Sequence, residues 1–174
     1  MSQSLTNFAD LLRSVKESAV HLEMRDAYGV ENEIEEFAAW RKGHRLDPSD
    51  RESWWRPWLD LVQEVTAKGV AMRRARIVSE PVSDYIRFEH HGTFTNAAAG
   101  EQIRWLSRRE ASDLKLPGND FWLFDNRLVQ FNIFDGEGRW VHTDQTDEPA
   151  VAQFCATAFR AVWERGIPHE KYNV

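Results

Sequence analysis

Cysteine occurs once in the 174 residues, so no internal disulfide can staple this chain. Its single copy, in Phe154-Cys155-Ala156, reads as buried packing rather than a reactive thiol. No apolar run approaches the roughly 18 residues that a membrane helix needs, and no charged-apolar-small leader opens the chain. Cytoplasm is therefore the expected location, with no membrane partner. Positive charge is also short. Lys and Arg number 22 against 28 Asp and Glu, a net charge of −6. That balance disfavours a stand-alone nucleic-acid binder, because phosphate backbones demand a concentrated cationic surface.

Catalytic signatures are missing as well. Ser79, Ser83 and Ser107 lie in no nucleophile elbow. His90-His91 are adjacent, so their side chains diverge, and no Cys/His/Asp/Glu spacing completes a metal site around them or around His21-x-Glu23. Gly136-x-Gly138 lies between two strand candidates and reads as a hairpin turn, not a phosphate cradle. No metal and no cofactor are expected, and no catalytic residue is assigned.

What is present is a core. Hydrophobic residues make up 42% and eight are Trp, and a chain of this length can bury roughly 70% of its unfolded surface. One domain, 1–174, is expected, with residues 1–68 as a helical layer and 69–174 as an α/β sheet unit. Phe8, Leu11, Leu12, Val15, Ala19 and Leu22 recur at helical spacing and predict a helix over residues 5–24. A second helix is predicted over 31–41, with Ile34, Phe37, Ala38 and Trp40 inward. A third spans 51–68, its main part opening at Pro57, where the missing N–H costs nothing.

After Gly69 the pattern changes. Residues 70–78 and 102–107 read as strands joined through a helix that Ser83 caps, which predicts a βαβ crossover. Residues 92–100 read as loop. Residues 121–124 and 128–134 flank the Asp125-Asn126-Arg127 turn as a hairpin, residues 139–142 follow as a strand, and a final helix starts near Pro149. Phe121 to Phe124 are apolar on both alternating faces, so this strand is expected to be central. The fold class is thus α/β (α+β): N-terminal helices packed on a small mixed sheet with a βαβ crossover and a C-terminal hairpin and helix.

The most site-like stretch is Asp84-Tyr85-Ile86-Arg87-Phe88-Glu89. Asp84 with Arg87, and Arg87 with His90, are i,i+3 neighbours that can form an ion-paired ridge. A pocket for a polar or anionic ligand is expected where Arg76, Asp84, Tyr85, Arg87, Glu89, Glu101 and Arg104 converge, since arginine presents a planar fork suited to carboxylate or phosphate. The competing reading is an internal salt-bridge network between crossover helix and sheet. A basic cluster, Arg104, Arg108 and Arg109, spans the second strand and the residues just after it.

Several runs resemble a family of uncharacterised small bacterial proteins. They include His21-Leu22-Glu23 with Asp26 and Tyr28, Ala67-Lys68-Gly69-Val70, and Arg76-Ile77-Val78-Ser79-Glu80-Pro81. Ser83-Asp84-Tyr85, Arg87-Phe88-Glu89, Ala99-Gly100-Glu101, Ile103-Arg104 and Asp120-Phe121-Trp122-Leu123-Phe124-Asp125 complete the set. Members come from filamentous high-GC bacteria and are often encoded beside helix-turn-helix regulators. The resemblance implies a regulator as partner and carries no activity.

The order of strand, helix, strand and Leu123-Phe124-Asp125-Asn126-Arg127-Leu128-Val129 also resembles half of a phospholipase D-like fold. Active members of that fold place His-x-Lys before the hairpin aspartate. The matching stretch here is Gly118-Asn119-Asp120, which implies a non-catalytic version. The expected function is a non-enzymatic accessory or regulatory protein that binds a partner protein or a small polar ligand. The rival is a hydrolase or transferase acting on a phosphorylated or nucleotide-like substrate.

Overall fold

A computed structural model describes residues 5–29 and 33–174. Chain order begins α1 (Leu5–Ser14), β1 (Ser18–Glu23), α2 (Ile34–Arg41), α3 (Arg51–Trp54) and α4 (Pro57–Ala67). The crossover unit is β2 (Ala71–Val78), α5 (Asp84–Gly92), α6 (Phe94–Ala98) and β3 (Gln102–Ser107). A short 3₁₀ turn (Arg108–Ala111) leads to β4 (Phe121–Phe124), β5 (Leu128–Phe134), β6 (Trp140–Thr146), α7 (Pro149–Arg165) and the two-residue β7 (Ile167–Pro168). The strands form one mixed sheet in the order β6-β5-β4-β1-β2-β3-β7, so the α+β expectation holds. Among the described residues no helix is long and apolar enough to cross a membrane.

One expectation fails in an informative place. The helix predicted over residues 5–24 ends at Ser14, and residues 18–23 form β1, parallel to β2 and antiparallel to β4. The supposed helical layer of residues 1–68 thus supplies the strand between β2 and β4. Val20 and Leu22 pack toward α7, while Ala19 packs under Leu59, Val62 and Val65 of α4. Both faces are buried, and the apolar–polar alternation is confined to Val20–Glu23, too short a stretch for spacing alone to separate helix from strand.

The sheet is covered on both sides. α7 lays Ala152, Cys155, Ala158, Phe159 and Val162 on one face, each buried. At about 1.5–3 kcal/mol for a fully buried large apolar side chain, Phe159 and Val162 are substantial anchors. The other face carries two apolar clusters. One joins α1, α3 and α4 around Met72, Trp122 and Phe124; the other joins α5 to Trp105 and Tyr172.

Local chemistry explains most boundaries. Pro57 is the first residue of α4, and the Ser83 hydroxyl accepts the Ile86 N–H at 3.1 Å to cap α5. Residues 92–100 are not loop: Phe94–Ala98 form α6, packed so that the Thr66 hydroxyl of α4 lies 3.1 Å from the Ala99 carbonyl. Gly100 follows at φ +106°, and a Cβ there would stand 2.6 Å from that hydroxyl oxygen. Ile34, expected inward on α2, is 62% exposed. Residues 31 and 32 of that predicted helix lie outside the described residues.

Asp125 and Asn126 take φ of 51° and 53°, the left-handed pair that a tight hairpin turn requires. The Asp125 carboxylate accepts three backbone N–H groups, from Lys16, Glu17 and Ser18, at 3.0, 2.7 and 3.0 Å. The hairpin therefore fixes the link between α1 and β1.

A candidate functional site buried on the central strands

The side chains of β1 and β2 alternate, so His21 and Glu23 stand on the same face as Arg74 and Arg76, in register: His21 beside Arg74 and Glu23 beside Arg76. These polar residues fill the strip between the two apolar clusters of that face. Glu101, whose side chain is completely buried, accepts from Arg74 Nε at 2.8 Å and from Asn96 Nδ2 at 2.6 Å. Glu23 takes Arg74 Nη1 at 3.1 Å and lies 2.8 Å from Arg76 Nε, although the latter N–H is poorly aligned for a hydrogen bond. Arg76 Nη1 reaches Glu89 of α5 at 2.7 Å. Each guanidinium also lies over an indole, Arg76 on Trp105 at 4.9 Å and Arg74 on Trp122 at 5.8 Å.

Burial would raise the Glu23 carboxyl, but Arg76 and Arg74 outweigh it and hold the group down at about 2. Glu23 is thus an anion at any physiological pH. Burial pushes His21 down to about 3, so the imidazole is neutral; it stacks on Trp122 with centroids 4.2 Å apart.

Toward the carboxyl end of β1 the network becomes acidic. Burial, then the nearby Glu89 charge, lifts Glu33 to about 7, and the Tyr85 hydroxyl donates to it at 2.5 Å. Asp120, just before β4, is 3% exposed and raised by burial to about 6. Its carboxylate accepts the Met24 N–H at 2.9 Å and a short hydrogen bond from the Tyr28 hydroxyl.

Of the residues expected to converge, Arg76, Tyr85, Glu89 and Glu101 do join one network. Three do not. Asp84 is exposed at the start of α5, and Arg87 has no ionic partner among the described residues, so the Asp84–Arg87–His90 ridge does not form. Helical spacing permits such pairs without requiring them. His90 instead faces the Tyr172 carbonyl at 2.9 Å. Arg104 points to the opposite face, where it donates to the Trp163 carbonyl at 2.8 Å and lies 4.6 Å over that indole. Strand alternation separates it from Ile103 and Trp105.

Glu23, Arg74, Asn96, Glu33, Asp120 and Tyr28 complete the network and escaped the sequence reading. His21-x-Glu23 and Arg74-x-Arg76 carry a period-two signal, which the helical spacing of the flanking apolar residues masks in β1. Among the described residues no group of three or more His, Cys, Asp or Glu is arranged to hold a metal ion. A cavity of about 530 Å³ beside the network is walled by Trp40, Trp54, Trp55 and Phe88. The indole N–H groups of Trp54 and Trp55 are already spent on Asp47 O and Asp60 Oδ1, at 3.0 and 2.7 Å.

The mixed sheet, covered by helices on both faces, makes this an α+β protein. The chain belongs to the DUF6879 family, a domain of unknown function, over residues 6–174. Among solved structures it is similar to NucT from Helicobacter pylori, with TM-score 0.57 and 10% identity over 94% of this chain and 89% of that one. It is also similar to TrmBL2, an archaeal chromatin protein whose structure shows a novel mode of DNA binding. That match has TM-score 0.50 and 12% identity over 92% of this chain, which spans about half (48%) of TrmBL2. Nuc from Salmonella typhimurium, a phospholipase D family member, aligns at TM-score 0.48 and 11% identity, over 95% of this chain and 88% of that one. At such identities the likeness is one of fold. No curated protein matches the sequence.

Proposed function

We propose that this chain is a non-enzymatic accessory or regulatory protein that acts by binding a partner protein. The observation carrying the reading is Asp120. A buried carboxyl, tied to Tyr28 and to the Met24 N–H, occupies the position where the resemblance calls for a phosphate-stabilising lysine. Glycine at position 118 offers no nucleophile. The two arginines facing the strip are also spent on Glu23, Glu89 and Glu101, so the network supplies no free guanidinium to a substrate phosphate.

The partner proposed first is a helix-turn-helix regulator, the neighbour that the family resemblance implies. The surface proposed for it is the β6 edge of the sheet, where Trp140 and Val141 are 42% and 50% exposed. Edge strands offer ready-made pairing groups to another chain. Direct DNA binding, the property described for TrmBL2, is disfavoured here by a net charge of −6.

Co-expression with the adjacent regulator, followed by affinity capture, tests the reading. Recovery of the regulator by the native chain, and its loss with Val141→Lys, is the expected result. Capture of nothing, together with turnover of bis(p-nitrophenyl) phosphate that Glu89→Gln abolishes, would replace this reading with the hydrolase one.

A further inference from the structure

β2 and β3 are parallel neighbours, with Val78 registered against Ser107, so both strands leave the sheet side by side at their carboxyl ends. Ligands of open α/β sheets bind at this end of the strands. A cavity of about 330 Å³ opens there, lined by Ser79, Glu80, Ser107, Arg108, Arg109 and Ser112. All six are polar, and they give the wall one net positive charge in a chain whose total is −6.

The donors fall into two kinds. Arg108 is fixed: its Nε donates to Ser79 Oγ at 3.0 Å and its Nη2 to Met24 O at 2.6 Å, with Asp26 Oδ2 at 3.3 Å. That leaves its Nη1 without a partner among the described residues. Arg109 faces solvent: its side chain is 87% exposed, and its one ion pair among the described residues is a long one with the neighbouring Glu110, at 3.5 Å. The Ser107 hydroxyl has no partner among the described residues, whereas the Ser112 hydroxyl donates to Arg109 O at 2.8 Å. The one carboxylate in the wall, Glu80, accepts the Tyr172 hydroxyl at 2.7 Å.

From this geometry we infer that the cavity between the β2 and β3 exits binds an oxyanion, specifically the phosphate group of a small phosphorylated ligand. One pre-positioned guanidinium and one solvent-facing guanidinium can share the equatorial oxygens, and a serine hydroxyl supplies a further donor. The volume exceeds that of inorganic phosphate and leaves room for the first atoms of the group that carries it. The inference is independent of partner binding at β6, on a different edge of the sheet, and neither outcome decides the other.

The test is a titration of the full chain with inorganic phosphate and phenyl phosphate, with acetate and a short DNA duplex as comparison arms. Backbone amide shifts read the binding. Saturable shifts at Ser79, Glu80 and residues 107–112 are expected with both phosphates, without saturation by acetate over the same range. Arg109→Ala should weaken binding about tenfold or more, the loss of a charge-assisted contact. Arg127→Ala, an exposed arginine on the distant hairpin turn, should leave it unchanged. Arg108 also supports the fold, so Ser107→Ala with Arg109→Ala replaces it as the double variant. Absence of saturation, tighter binding of acetate, binding of the duplex alone, or equal weakening by Arg127→Ala would each overturn the inference.

Discussion

Replacing Glu101 with Gln tests whether the buried network is held by charge or merely by shape. The substitution conserves volume and removes one charge from a side chain with no solvent exposure. Both of its partners, Arg74 Nε and Asn96 Nδ2, are donors. A glutamine amide has one acceptor and one donor end, so one partner must face an N–H instead of an oxygen. A lost charge-assisted hydrogen bond costs about 1.5–3 kcal/mol and a stranded buried donor about 1–3.

Arg74 keeps Glu23 at 3.1 Å, and the loss expected for breaking a buried pair is about 3–5 kcal/mol. For a domain of this size that lowers the thermal midpoint by about 6–20 °C and the urea midpoint by about 1–2 M. Circular dichroism across a urea series measures it, with Glu64→Gln as the comparison. Glu64 makes exposed pairs with Arg13 and Lys68, and its substitution should leave the midpoint nearly unchanged. A loss below about 1 kcal/mol for Glu101→Gln would refute a charge-held network.

The other expectations concern protons and the hairpin. Asp120 and Glu33 have folded-state affinities for protons above their ordinary values, at about 6 and about 7 against 3.8 and 4.5. Their contribution is therefore complete below pH 4 and lost as pH rises through 6 to 7. Glu23 is lowered to about 2, so its contribution is present above pH 4.5 and lost as pH falls through 2. Asp120→Asn should flatten the decline between pH 4 and 6, measured by urea midpoints at each pH; an unchanged slope would rule out Asp120 as its source. Asp125→Ala removes the acceptor shared by the N–H groups of Lys16, Glu17 and Ser18, and should cost about 1–3 kcal/mol and speed hydrogen exchange at those amides first. Uniform exchange across the chain would show that the turn does not hold the α1–β1 link.

Legibility followed locality. The crossover, the hairpin and α7 could be read because each boundary has a residue with its own chemistry: Ser83 caps α5, Asp125-Asn126 take the left-handed turn, and Pro149 opens α7. β1 has no such marker. Its four buried residues, Ala19 to Leu22, face protein on both sides, and only the neighbours β2 and β4 make it a strand. Misreading it concealed the site, because Glu23 and His21 meet Arg74 and Arg76 only through strand pairing. Asp84 and Arg87 erred in the other direction, since their spacing allowed a ridge that the packing of α5 did not use.

By itself, then, the chain dictated its α+β class, the order of most elements and the absence of the His-x-Lys pair, because these depend on short-range pattern and on residue identity. Only tertiary structure decided that the arginines of β2 are consumed by Glu23, Glu89 and Glu101, and that Arg104 lies behind the sheet. Tertiary structure also decided that Ser107, Arg108 and Arg109 meet Ser79 at the strand exits. Those juxtapositions join residues between 13 and 53 positions apart, and pairing register, which no local signal encodes, sets which side chains share a face.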